Sequence, residues 1–417
     1  MENETLIQGD IPAGGLWPGD LSGKTRKVEV GTGQAPRSES LSISRQSDPV
    51  PEAPLFLSRR LPVFFMAVVP LMLVGCSEYS FKDQSTGELG ADTGFHTQDT
   101  DTDTDIVEED TASVQGRVCD LTGEGYVAGA YVYIILDTNG DGVEDDRIEA
   151  TTDSDGYFTL TGVPLGTHTI YVEKGSFSTT FEVTLSEEGN LELAEEECLQ
   201  DEDVEIAVIT GAYDSIEDIL DLMEIEYTLY NGVAGQAAVT LLRDPDAMAE
   251  YDIIFFNCGI ASNWSTHKTE IAANILEFVQ NGGSIYTSDW AYYFFEATWP
   301  NAVDFYGDDA TEGSAYVGES TTLTAQVVDE NMQALLASET ALLNYDLWSW
   351  VVPTSANSNV DVLLTGDAPV GYGTPVTDAP LAVRIQPGGT AIYTTFHNES
   401  QITVDMTILL AEIILSL

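Results

Sequence analysis

Two rhythms divide the acidic part of this chain, and they restrict its fold more than any single motif does. From Ser113 to about Gln200, apolar and polar residues alternate in short runs between turn residues. From Val204 onward, near-continuous apolar runs alternate with stretches of helical period. The first rhythm predicts strands at Val114–Val118, Ala130–Leu136, Tyr157–Leu160, Thr167–Val172 and Thr179–Leu185, with turns at Asp155-Gly156 and Gly162–Gly166. Strands with no long helix between them predict a small all-β sandwich over residues 113–200. The second rhythm predicts strands at Glu205–Thr210, Tyr227–Tyr230, Asp252–Asn257, Ser284–Ser288 and Thr390–Phe396. Helices are expected at Asp214–Met223, Ser265–Gln280 and Ile402–Leu417, and the residues before Thr390 read as a long insertion. Residues 204–417 are therefore expected to form an α/β domain with a mainly parallel sheet covered on both faces. In the closing helix, Asp405 and Glu412 stand seven apart and should share an exposed face. That predicts a helix packed on the core, not a membrane span.

Charge narrows the function classes. Among 417 residues, 14 Lys+Arg oppose 70 Asp+Glu, a formal charge of −56. Such a chain lacks the cations that a phosphate backbone requires, so no nucleic acid is expected as partner. It is equally unsuited to gripping an anionic lipid surface by charge. It suits cations, calcium first, and a salty or extracellular setting. Before Cys76 there are seven basic and eight acidic residues; after it, 14 − 7 = 7 basic residues face 70 − 8 = 62 acidic ones. A break that sharp marks a processing or domain boundary.

At that break, Arg59-Arg60 precede an uncharged apolar run that ends Leu73-Val74-Gly75-Cys76. The run is shorter than the roughly 20 residues a spanning helix needs, and it contains Pro62 and Pro70. It resembles the bacterial lipobox, which implies a lipoprotein signal peptide over 55–76 and a diacylglycerol on the Cys76 thiol. Ser77 after the modified cysteine implies sorting to the outer membrane, so the expected location is the bacterial cell envelope, with the membrane as partner through the lipid. Residues 1–54 show no periodicity and are expected to be a disordered leader or a gene-model artefact, with translation starting near Leu55 or Leu57. Residues 77–112, Thr/Asp-rich and poor in apolar groups, read as an extended acidic tether.

The β stretch carries Gly129-Ala130-Tyr131-Val132, Thr152-Asp153-Ser154-Asp155-Gly156-Tyr157-Phe158 and Val163-Pro164-Leu165-Gly166-Thr167-His168-Thr169. With these it resembles the carboxypeptidase regulatory-like and B-type surface-repeat domains of exported bacterial proteins. The resemblance implies a spacer or adhesive module without catalysis. Within it, Asp137, Asn139 and Asp141 place oxygens at positions 1, 3 and 5 of a calcium-type loop, with Gly142 at the sharp turn and the Val143 carbonyl at position 7. At position 12, Ile148 replaces the usual bidentate Glu, so Asp145, Asp146 or Glu149 would complete the shell. Calcium is the expected cofactor; the competing reading is an acidic hairpin turn with no ion. Cys119 and Cys198 bracket the domain. In an oxidising compartment they either pair, tying its ends together, or remain free thiols.

In an open α/β sheet the crevice lies beyond the carboxyl ends of the strands. The residues there are Tyr213 and Asp214, Asn257 and Cys258, Ser288, Asp289 and Trp290, then His397, Asn398 and Glu399. Three segments, Tyr251–Gly259, Gly282–Ala291 and Gly389–Glu399, resemble the flavodoxin-like class I glutamine amidotransferase fold. The last of them resembles that family's strand with the catalytic His and Glu. Read in that register, Asp289 occupies the place of the catalytic Cys, and glutamine hydrolysis needs a thiolate there. Cys258 ends the preceding strand and is expected to be a buried core residue. Ser288 lacks the flanking glycines that would expose a nucleophilic serine. The expected protein is a cell-surface lipoprotein with a calcium-stabilised β module and a non-catalytic binding or structural head. The alternative is an exported hydrolase acting on an amide or a glycan through Asp289, His397 and Glu399, with Ser288 beside them. Tyr213, Trp264, Trp290, Tyr292, Tyr293 and Trp299 either line a cleft for an envelope glycan or protein ligand, or pack the core. His96, His168 and His267 suggest no site.

Overall fold

Alternating burial along the first strands closes a two-sheet sandwich. The structure, a computed structural model, describes residues 110–417 except 124, 141, 262–263, 308–313, 347–348, 372 and 400–401. The N-terminal leader, Cys76 and the acidic tether thus lie outside the described residues, as does Asp141. Strands β1 (Thr111–Cys119), β2 (Tyr131–Leu136), β3 (Asp146–Thr151) and β4 (Tyr157–Pro164) are followed by β5 (Gly166–Lys174), β6 (Phe177–Leu185), β7 (Gly189–Glu192) and β8 (Glu197–Cys198). One sheet runs β4-β1-β7 with β8 also on β1; the other runs β3-β2-β5-β6. Val114, Val118, Phe158, Leu160, Ile170 and Val172 point inward and are buried. Cys119 stands opposite Cys198 in the β1–β8 register, and the two form a disulfide with Cα atoms 4.3 Å apart. Strand β3 carries Asp, Arg, Glu and Thr between its few apolar residues, which hides its period.

The second stretch begins with β9 (Ile206–Thr210), α1 (Ile216–Leu222), β10 (Thr228–Asn231), α2 (Ala237–Leu242), α3 (Pro245–Met248) and β11 (Ile253–Phe256). It continues with α4 (Lys268–Gln280), β12 (Ser284–Ser288), α5 (Tyr292–Thr298), β13 (Val303–Phe305), β14 (Thr321–Val327), α6 (Glu330–Leu336) and β15 (Thr340–Tyr345). The chain ends with β16 (Pro353–Ala356), β17 (Asp361–Ala368), β18 (Val376–Ile385), β19 (Ala391–Thr394) and α7 (Val404–Leu415). Nine strands form one sheet in the order β10-β9-β11-β12-β19-β18-β17-β14-β15. The four pairings from β10 to β19 are parallel and the four from β19 to β15 are antiparallel.

This corrects the expected fold class. The described chain is mostly β, with a sandwich and a large mixed sheet, and no flavodoxin-like, class I glutamine amidotransferase-like α/β domain with a mainly parallel sheet is present among the described residues. The segment read as an insertion supplies β14, β15, β17 and β18, which make the antiparallel half. Their sequences alternate, as in Thr321–Val327, so they lack the continuous apolar signature of the parallel strands.

Two apolar clusters cover the sheet. Helices α2, α4 and α5 bury Val239, Leu242, Ile271, Ile275 and Phe294 in one of them. The other joins α1, α6 and α7 to the interior of the sandwich, so the core is continuous across residues 200–204. Glu412 of α7, expected on an exposed face, is instead only 2% exposed. It faces Lys174 of β5 at 2.6 Å between Nζ and Oε1, because the sandwich occupies the side of α7 that was read as solvent. No described helix is long and apolar enough to cross a membrane.

Candidate functional site

The fully buried strands β11, β12 and β19 run into polar residues at or just past their ends. These ends converge with the turn after β9. Asp214 follows β9, Cys258 lies just past β11, Ser288 closes β12 with Asp289 after it, and His397 follows β19. Each is at most 5% exposed. The Ser288 hydroxyl donates to Asp214 Oδ2 at 2.5 Å and accepts from the Cys258 amide at 2.9 Å. Asp214 Oδ1 accepts from the Asn398 amide at 3.2 Å. Asn257 donates from Nδ2 to the Asp214 carbonyl and to Glu217 Oε2, at 3.2 and 2.9 Å.

Asp289 sits at φ 42°, a left-handed backbone that only the surrounding structure can hold in a non-glycine residue. That turn directs its carboxylate inward. Oδ1 accepts from the Val351 amide at 2.6 Å, while Oδ2 lies 3.5 Å from Cys258 Sγ and 3.7 Å from His397 Nε2. Burial, then the Asp289 carboxylate, pushes the Cys258 thiol up to about 12. A thiol so raised is protonated at neutral pH and is a poor nucleophile. Burial disfavours the imidazolium of His397, but Asp289, Cys258 and Asp214 outweigh it and hold the ring well above its ordinary value. Glu399, half-buried, is raised to about 7, chiefly by burial and then by the carboxyl of Asp346, against the pull of His397.

The structure therefore unites Asp214, Asn257, Cys258, Ser288, Asp289 and His397, but in a closed core and not on an open crevice. Ser288 is wholly buried with its hydroxyl committed to Asp214. Tyr213 is 59% exposed, whereas Trp264, Tyr292 and Tyr293 are buried, Trp264 stacking on Tyr293 at 4.7 Å. Trp290 donates from its indole to the Ser349 carbonyl. A cleft of about 530 Å³ opens elsewhere, beside Trp299, Val360, Ile385 and Pro387, and none of its lining residues belongs to this cluster. The amide of Val351 and the carboxylate of Glu217 were missed from sequence. Neither position carries a pattern that would single it out.

In the sandwich, the calcium-type loop joins β2 to β3. The Asp137 carboxylate accepts from the Gly140 and Gly142 amides, both at 2.7 Å, at two glycines of positive φ. Asp145 folds back on the loop, accepting from the Thr138 and Asn139 amides at 2.9 and 3.2 Å and from Asn139 Nδ2 at 3.1 Å. Asp146 accepts from the adjacent Arg147 amide, Glu149 from the Tyr131 hydroxyl, and Val143 is 63% exposed. Of the three carboxylates considered for completing a shell, Asp145 is thus the one turned toward Asp137 and Asn139.

No curated protein matches the chain. Among solved structures, a cytoplasmic protein of Salmonella typhimurium is 14% identical over 50% of this chain and 96% of its own, with a TM-score of 0.34. A cohesin–X-dockerin complex from Acetivibrio cellulolyticus is 21% identical over 27% of this chain and 72% of its own, at 0.18. The major pilin subunit of Bacillus cereus is 16% identical over 22% and 30%, at 0.17. Residues 113–194 match the carboxypeptidase regulatory-like domain family. The eight-stranded, disulfide-closed sandwich at the start of the described chain is a carboxypeptidase regulatory-like domain.

Proposed function

We propose that this chain is a lipid-anchored protein of the bacterial envelope, held in the outer membrane through Cys76. In this reading the regulatory-like sandwich is a calcium-stiffened module, and the mixed-sheet body is a non-catalytic binding or structural head. The lipobox-like segment and the charge break behind it support the anchor. The Asp137–Asp145 loop supports calcium: its glycines and amides already hold two carboxylates and an Asn side chain together at the tip of one hairpin. Asp137, Asn139 and Asp145, with Asp141 and the Val143 carbonyl, would hold the ion. Calcium there would neutralise clustered charge and stiffen the hairpin.

The observation that carries the non-catalytic reading is the closure of the Asp289–His397 pair. Its members lie 3.7 Å apart, both are buried, and Asp289 spends one oxygen on a backbone amide. A general base must reach a substrate proton, and this one is walled off from solvent. The purified chain should release no ammonia from glutamine and cleave no peptidoglycan amide or glycan. Turnover that disappears on Asp289→Asn or His397→Ala would establish the hydrolase instead. Labelled palmitate should enter the chain and be absent from Cys76→Ser.

A further inference from the structure

We propose that Cys258, Asp289 and His397 bind a borderline-soft divalent metal ion, zinc foremost. They come from the ends of β11, β12 and β19, three neighbouring strands of the parallel half. One donor atom from each lies within 4.8 Å of the others, and all three residues are buried. Zinc bonds of about 2.3 Å to sulfur and about 2.0 Å to nitrogen or oxygen imply tetrahedral edges of roughly 3.5 Å for S···O and roughly 3.3 Å for N···O. The corresponding separations are 3.5 Å from Cys258 Sγ and 3.7 Å from His397 Nε2 to the same Asp289 oxygen. On these two edges the donors need move only a few tenths of an ångström, and the third, between sulfur and imidazole, lies within 4.8 Å.

A nucleophilic relay would look different. There the carboxylate sits across the imidazole from the thiol. Here one oxygen of Asp289 faces both sulfur and ring nitrogen. The supporting contacts are those of a metal centre: the Val351 amide fixes the free oxygen of Asp289, and the Cys258 amide is held by Ser288. The second ring nitrogen of His397, Nδ1, has no such outer partner. Charge points the same way. Thiolate, carboxylate and neutral imidazole sum to −2, which a divalent ion cancels. The sulfur donor excludes calcium and magnesium, which take oxygen ligands.

Cobalt is the spectroscopic probe. The full chain with Cys76→Ser, whose other two cysteines form the disulfide, leaves Cys258 as its one free thiol. Produced in cobalt-supplemented medium, so that metal enters during folding, it should carry one equivalent and show a thiolate-to-cobalt charge-transfer band with tetrahedral d–d bands. Produced without cobalt, it should contain zinc by mass spectrometry. Cys258→Ala should abolish the charge-transfer band, Asp289→Asn and His397→Gln should weaken binding at least about tenfold, and excess calcium should leave the band unchanged. A folded chain with neither zinc nor cobalt, or a band that survives Cys258→Ala, would overturn the proposal. Should the variants fail to fold, the metal content and spectrum of the chain without them decide. Because the readout is not turnover, a negative result leaves the non-catalytic reading standing.

Discussion

Lys174 and Glu412 form an ion pair that joins the sandwich to the closing helix, and its energetics can be worked from the structure. The Nζ–Oε1 distance is 2.6 Å, and the two side chains are 6% and 2% exposed. Lys174 also donates to the Ala128 carbonyl at 3.0 Å, and Ser416 donates to Glu412 Oε1 at 3.2 Å, while Glu412 Oε2 has no partner. Burial raises the Glu412 carboxyl above its ordinary value, and Lys174 opposes that shift. Removing one partner strands a buried charge, at a cost of about 3–5 kcal/mol. With an unfolding entropy of about 2.1 cal/mol/K per residue over roughly 300 residues, that is a fall in Tm of about 5–8 °C. Lys174→Met and Glu412→Leu should each show it by calorimetry or near-ultraviolet circular dichroism. The double variant should return to within about 1 kcal/mol of the parent or exceed it, since replacing a buried pair with apolar groups is often neutral or stabilising. Single variants that melt with the parent, or a double variant that loses the sum of both, would refute the argument.

Three further outcomes are expected. Cys119→Ser with Cys198→Ser should cost about 4.5 kcal/mol by the loop-entropy relation for a separation of 79 residues, read as a lower Tm in non-reducing buffer. Calcium at a hundredfold excess over Kd should stabilise the chain by about 2.7 kcal/mol, and Asp137→Ala should abolish that gain, read as the difference in Tm with and without calcium for each chain. Glu399 is raised from its ordinary 4.5 to about 7, so the stability tied to it is complete below about pH 4.5 and is lost as pH rises through 7. Glu399→Gln should therefore flatten the melting profile between these values and melt higher than the parent above pH 7.

Legibility differed by element for physical reasons. Strands β9 and β11 are near-continuous apolar runs and, with β12, could be read within a residue or two; α4 was legible from its amphipathic period, with its start placed three residues early. The cysteine pair was legible as one of two alternatives, since spacing does not give the approach of the Cα atoms. Strand β3 was missed because charged and polar residues occupy its solvent side. Glu412 was misread from its spacing with Asp405. A better signal was present: it is the one charge within the otherwise apolar last two turns, Leu409–Leu415, in a chain with only seven basic residues after Cys76 to answer 62 acidic ones. Where bases are that scarce, an enclosed Lys174 implies a specific carboxylate partner.

The misread insertion accounts for both the corrected fold and the closed site. The strand ends of a parallel sheet were read as an open crevice, and the residues between α5 and β19 only as an insertion. They instead extend the sheet with antiparallel strands and return across those ends. The Val351 amide binds Asp289, the Ser349 carbonyl takes the Trp290 indole, and the Tyr345 hydroxyl bonds to the Thr395 hydroxyl at 2.7 Å. Trp350, only 3% exposed, stacks on Tyr345 with centroids 4.0 Å apart. These contacts cover the ends of the parallel strands. The carboxylate, imidazole and thiol that would face a ligand in an open sheet are thereby left to one another, and what they share is room for an ion.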